Sequence, residues 1–212
     1  MNLFSSCIIG FVGVPVFRQQ SALRALRQAG ASIQIRPAYP ELVVDAFSKA
    51  HWLGKSRLDL VSLITEVNFS GTETGPEINR ILVNLKGVKG LRRVNLANTE
   101  VDDSGLVHLA GLDELQEVNI RETPITDAGL VHLSRIKALR RLSLLGTRVT
   151  DKGLAQFERL CNLRELTVVR TRVTAGGVDE LKAALPGLNV ITHDEWDKPH
   201  AIPGGFREAL AP

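Results

Sequence analysis

The sequence predicts an α/β solenoid: right-handed, with a curved parallel sheet on its concave face and short helices on its convex face. Three observations carry this. First, four stretches starting at Leu91, Leu115, Leu139 and Leu163 recur every 24 residues without a slip. Second, Val94/Leu96, Val118/Ile120, Leu142/Leu144 and Leu166/Val168 alternate with polar residues, the period-2 pattern of a half-buried strand. Third, Leu106/Leu109/Leu112, Leu130/Leu133/Ile136 and Leu154/Phe157/Leu160 mark a short helix that buries one face. One strand per unit, always in the same direction, forms a parallel sheet. No unit can bury its own apolar face, so stacking supplies the core.

The remaining columns define the turns. Thr99, Thr123, Thr147 and Thr171 follow each strand, and Val101, Ile125, Val149 and Val173 then point back into the core. Asp103, Asp127 and Asp151 each stand two residues before Gly105, Gly129 and Gly153. The Thr126-Asp127 and Thr150-Asp151 pairs read as helix N-caps, because a side-chain oxygen can accept from an orphan backbone N–H. The glycines belong to the repeat turn rather than to a phosphate cradle.

A period within roughly 20–29 residues and this leucine spacing are the signature of leucine-rich repeats. The segments Thr123–Leu133 and Thr147–Phe157 carry T-x-V-T-D-x-G-L-x-x-L with conservative changes. In the weaker copies Asp102 replaces Thr, Ala175 replaces Asp and Val178 replaces Leu. The pattern resembles bacterial leucine-rich-repeat proteins of the ribonuclease-inhibitor-like class, over residues 64–192. The resemblance implies a leucine-rich-repeat solenoid of about five to six repeats that acts as an interaction scaffold.

In chain order, residues 1–17 come first as an apolar leader or membrane anchor. The run Leu3–Phe17 is shorter than the ~20 residues of a spanning helix. It lacks the basic start and small-residue cleavage site of a signal peptide. Residues 18–63 read as an N-terminal cap: a helix over Ser21–Gly30 closed by its glycine, a strand at Ser32–Arg36, and a second helix over Glu41–Leu53. Gln20, Ala22, Leu26, Gly30 and the Trp52-Leu53-Gly54 step resemble the segment that precedes the repeats in that class. A longer first repeat starts at Ile64, with a strand at Val67–Phe69, Thr72, and Gly75-Pro76 in place of Asp-x-Gly. Its helix draws on Ile78, Ile81, Leu85 and Val88. Val190–Thr192 is the last strand, with its register open by one residue. Residues 193–212 form a C-terminal tail or a flap pinned by Trp196.

Composition sets broad limits. The formal charge is +3, and residues 1–60, with seven basic and three acidic residues, account for the excess. With only Cys7 and Cys161 there is no disulfide framework, and Cys161 reads as a small, partly buried packing residue. Charge is uneven: residues 100–127 hold eight acidic residues against Arg121 alone, a net of −7. Residues 140–172 hold eight basic residues against three acidic, a net of +5.

The outward strand columns can be written down. The first, Glu66, Arg93, Glu117, Arg141 and Glu165, alternates in sign and reads either as a self-neutralising ladder or as a polar binding strip. The second is small and polar: Asn68, Asn95, Asn119, Ser143 and Thr167. The third, Ser70, Ala97, Arg121, Leu145 and Val169, brings two apolar residues together; they mark an interface or lie under the C-terminal flap. Arg148, Arg170 and Arg172 cluster at the strand exits.

These residues point to binding, not catalysis. The candidate binding residues are Arg121, Leu145, Val169, Arg148, Arg170 and Arg172, with a protein as partner. No aromatic residues interleave with the arginines, which argues against single-stranded nucleic acid. His108 and His132 share a helix column without a third ligand. His193, Asp194, Glu195, Asp197 and His200 crowd one stretch but match no metal-ligand spacing. No P-loop, dinucleotide fingerprint or nucleophile elbow occurs, so no cofactor, metal or catalytic residue is expected. The alternative function is a structural or envelope spacer, tethered to a membrane through residues 3–17.

Overall fold

A computed structural model describes residues 19, 21–37, 62–72 and 74–192. Seven strands make one sheet in chain order: β1 (Ser32–Pro37), β2 (Ser62–Asn68), β3 (Arg93–Asn95), β4 (Glu117–Asn119), β5 (Arg141–Ser143), β6 (Glu165–Thr167) and β7 (Asn189–Ile191). From β2 to β7 every pair is parallel and in register, Val67–Val94–Val118–Leu142–Leu166–Val190 forming one inward row. Short helices return the chain between strands, at Ile78–Leu82, Asp103–Leu106, Asp127–Leu133, Asp151–Leu154 and Ala175–Ala184. This is the leucine-rich-repeat solenoid that the 24-residue period predicts. Its main core runs from Ala22 to Val190.

The helices are shorter than the apolar spacing suggests. Leu112, Ile136 and Leu160 lie past the helix ends, in the turns, yet all three are buried. The threonine column explains how each strand ends. The hydroxyls of Thr72, Thr99, Thr123, Thr147 and Thr171 each donate to the carbonyl three residues earlier, at 2.6–2.7 Å. Each closes a turn on that carbonyl, joined at Thr72 and Thr147 by the residue's own backbone N–H; a valine of the same shape would lack the hydroxyl donor.

At the N-terminal end, a helix over 21–28 buries Ala22, Leu23 and Leu26 against the core. Gly30 closes it at φ 78°, and the Ala31 N–H donates to the Leu26 carbonyl at 3.0 Å. β1 then pairs antiparallel with β2, so the outer edge of the first repeat strand is hydrogen-bonded. The Gln19 amide ties this end to the first repeat by donating to the Lys89 carbonyl at 3.2 Å. The expected helix over Glu41–Leu53, the leader 1–17 and the tail from His193 lie outside the described residues. No helix among the described residues is long and apolar enough to cross a membrane.

The aspartate column corrects the sequence-based reading. Asp127 does not serve its own helix; its carboxylate accepts from the Thr150 N–H at 2.8 Å and the Thr150 hydroxyl at 2.6 Å, one repeat later. Asp103 holds Thr126 in the same way, and Asp151 holds Thr174. Own-helix capping falls to Asp102, Thr126 and Thr174, whereas Thr150 makes no side-chain cap bond. In the first repeat Asn79 stands in the aspartate column and accepts from the Asp102 N–H at 3.3 Å.

The glycine column follows from this interlock. A Cβ on Gly129 would lie 2.5 Å from Asp103 Oδ1, and one on Gly153 or Gly177 would collide with the carboxylate of Asp127 or Asp151. These glycines have ordinary helical backbone; it is the neighbouring carboxylate that excludes a side chain.

Gly153→Ala tests this. In a helix interior that change ordinarily gains up to about 1 kcal/mol. Here it is expected to lose about 1–3 kcal/mol in urea denaturation, because the new methyl group overpacks against Asp127. In an Asp127→Ala background the loss should shrink, the contact with Leu130 Cδ1 at 2.9 Å remaining.

Candidate functional site

The outward side of the sheet carries the predicted columns in the predicted register. Arg93 Nε donates to Glu66 Oε2 at 2.7 Å, and Arg141 pairs with Glu117. The alternating column therefore resolves into two cross-strand pairs, with Arg93 also reaching Gln34 at 3.5 Å. Asn68, Asn95 and Asn119 are absorbed locally, each accepting from the backbone N–H two residues on. This column builds the sheet's edge turns.

Glu165 follows Arg141 in the row. Burial raises its carboxyl above the ordinary glutamate range and Glu117 adds to the rise, while Arg141 opposes it. Arg121 stands in the third outward column. Burial lowers its guanidinium affinity for the proton, opposed by Glu122, and its Nε has no hydrogen-bond partner.

Leu145 and Val169 were read as exposed apolar neighbours if no flap covers them. They are buried, at 5% and 1% exposure, and join Ile191 at 4% in a small cluster separate from the main core. In β7, Val190 points inward and Ile191, paired with Thr167, stands on the outward side. The last strand is Asn189–Ile191, one residue earlier than expected.

The strand exits hold the arginines. Arg148 and Arg172 occupy the same position in adjacent repeats, and both are exposed. Their backbones are anchored, the Arg148 N–H on the Ile125 carbonyl and the Arg172 N–H on the Val149 carbonyl, both at 2.9 Å. Arg170 pairs with Glu122 at 2.7 Å, two repeats away. That reach depends on Gly146, which lies between them: a Cβ there would come within 2.5 Å of the Glu122 carboxylate.

Sequence reasoning missed this column. Asn98, Glu122, Gly146 and Arg170 all adopt left-handed backbone, with φ between 51° and 70°. Glycine and asparagine accept that conformation readily; for glutamate and arginine it costs roughly 1–2 kcal/mol. Asn98 and Gly146 in one column were the available signal.

Other expectations are redistributed. In the acidic block 100–127, Asp103, Glu114, Glu117, Glu122 and Asp127 all make hydrogen bonds or ion pairs within the fold. Cys161 is exposed rather than partly buried. Its column holds Lys89, Asp113 and Lys137, a solvent-facing turn position. Val83, Val107 and Val131 form an exposed apolar column on the helical side that the leucine-based reading passed over. His108 and His132 are half-buried, and among the described residues no group of metal-ligating side chains converges. The His193–His200 stretch lies outside them.

No protein-family model matches the sequence, and no curated protein does. Solved structures are similar at low identity. An internalin C2 from Listeria monocytogenes shares 22% identity over 52% of this chain and 45% of its own, with a TM-score of 0.44. The leucine-rich-repeat ectodomain of the receptor kinase SOBIR1 from Arabidopsis thaliana shares 13% over 82% of this chain and 91% of its own, at 0.47. The ectodomain of the Arabidopsis receptor kinase HAESA, in complex with an IDA peptide hormone, shares 12% over 84% of this chain and 33% of its own, at 0.43. This chain spans less than half the length of the internalins it resembles. The fold assignment rests on strand register, not on these likenesses.

Two measurements test the site's energetics. The native Glu165 carboxyl holds its proton more tightly than the unfolded one, so its contribution to stability falls as pH rises through the folded pKa. Glu165→Gln should therefore stabilise the protein at neutral pH, and the gain should vanish below about pH 3, where both states are protonated. Gly146→Ala should destabilise by about 1–3 kcal/mol in thermal or urea unfolding, from its positive φ and its contact with Glu122. Removing Glu122 should reduce that loss.

Proposed function

We propose that this chain is a non-catalytic protein-interaction scaffold that binds an acidic protein surface through its strand-exit loops and the adjoining sheet face. The observation that carries the reading is the pair Arg148 and Arg172. Both are exposed and set one repeat apart on anchored backbone, with Arg170 nearby. Adjacent repeats place such positions about 4.8 Å apart, so the pair offers two fork-shaped donors to carboxylates at fixed spacing. Arg121 adds a third cation whose Nε is without a partner.

Other features support the reading. The stacked repeats present an extended sheet face. Leu145 and Val169 belong to the same face but are buried, so they contribute to a partner site only when uncovered. The 24-residue motif with T-D-x-G-L supports placement among bacterial repeat proteins of the ribonuclease-inhibitor-like class. Residues 1–17 and 18–63 are proposed as leader and cap.

Affinity capture from native lysate at low and moderate salt tests the proposal, with an Arg148→Glu, Arg172→Glu control. A partner lost in the control and weakened by salt is the expected result. Capture of nothing, or capture indifferent to the control, would favour the spacer role, for which membrane fractionation of the full chain is the corresponding check.

A further inference from the structure

The return from each helix to the next strand stacks into a rim of its own. The windows 83–92, 107–116, 131–140 and 155–164 lie 24 residues apart and open on Val83, Val107, Val131 and Ala155. Together they carry eight basic and three acidic residues, all of them exposed, for a net of +5. The first window holds Lys86, Lys89 and Arg92 and the third Arg135, Lys137 and Arg140, with no acidic residue in either. Among the described residues none of the eight cations pairs with a carboxylate. Of the acids, Glu114 already accepts the Gly90 N–H at 3.0 Å.

The same rim carries apolar side chains. Val83, Val107 and Val131 are 48%, 47% and 39% exposed, one per repeat, where each helix runs into its turn. Val83 precedes Lys86 by three residues and Val131 precedes Arg135 by four, the spacing that puts two side chains on one side of a helical turn. Solubility alone accounts for a charged rim, but not for a row of exposed valines set beside the charges.

Cations and valines together select among partners. A nucleic-acid duplex would use the cations and gain nothing from the valines. A second copy of this face would bring like charge onto like charge. Protein interfaces favour aromatic anchors and few lysines; here Phe157 is the sole aromatic residue of the four windows, and it is buried. An anionic bilayer uses both features, with cations at the headgroups and valines at the boundary of the acyl chains.

We propose that this rim is a peripheral membrane-binding surface that docks the solenoid on bilayers rich in anionic lipid. It is separate from the strand exits, which lie at the other end of each strand and stay open to a protein partner.

The test is co-sedimentation of the full chain with phosphatidylcholine vesicles, plain or containing roughly one-third phosphatidylglycerol. Binding that requires the anionic lipid and falls with salt is expected. Arg135→Glu with Arg140→Glu should weaken it at least about tenfold. Arg148→Glu with Arg172→Glu changes the net charge equally and should weaken it less than about threefold. Val107→Ser with Val131→Ser leaves the charge untouched and should weaken it about three- to tenfold. Circular dichroism checks each fold, and Lys86→Glu with Lys89→Glu takes the place of the rim arginine pair if that variant does not fold. No binding, equal binding to plain vesicles, equal losses from the two charge reversals, or indifference to the valine pair would each overturn the proposal. Retention of duplex DNA without vesicle binding would assign the rim to nucleic acid instead.

Discussion

The interlock between an aspartate, the threonine of the next repeat and a glycine beside it is the constraint on which this solenoid depends. A carboxylate that accepts both the backbone N–H and the hydroxyl of one residue fixes a loop at two points. Leaving those donors unmet would cost about 1–3 kcal/mol wherever water is excluded. The glycine is the complement of the carboxylate's volume. Strand register, helix start and turn are thus set together at every junction from Asp103 to Thr174, and the leucines fill a space already defined.

Charge in this chain is largely internal wiring. Blocks that look like acidic and basic faces along the sequence are dealt out by the fold to different sides of each repeat. Glu117 pairs across the sheet with Arg141, Glu122 reaches Arg170 over Gly146, and Asp103 and Asp127 hold threonines. Outward remain the cations of the helix-to-strand rim and the arginines at the strand exits, with Arg148 and Arg172 repeating in register. Left-handed backbone at Glu122 and Arg170 holds two of these charges in place at a conformational cost, as strained residues do at sites where geometry matters.

The architecture was legible because its signals recur: a leucine, valine or threonine in the same column several times over is read by comparison with itself. Interactions between columns one repeat apart were not. Asp127 looked like a cap because the reading stayed within its own helix, and its true partner lies 23 residues on. Cys161 was misjudged by residue type, although its column companions Lys89, Asp113 and Lys137 mark a solvated turn. The burial of Leu145 and Val169 could not be deduced from alternation, which assigns a side of the sheet but not what lies over it. Of the candidate residues, the arginines stand where the spacing put them, and the ion pair of Arg170 came only with coordinates.

The interlock also makes the chain modular. Each junction joins an aspartate to a threonine in the same relative place, with a glycine in step. A block of one period copied in tandem would therefore meet both neighbours with every donor matched, lengthening the sheet by one strand without a new joint to invent. Solenoids of this kind can grow or shrink by whole units during evolution. The two ends cannot be exchanged so freely: Asn79 and the antiparallel β1 suit only the first position, and the longer helix Ala175–Ala184 precedes only the last strand.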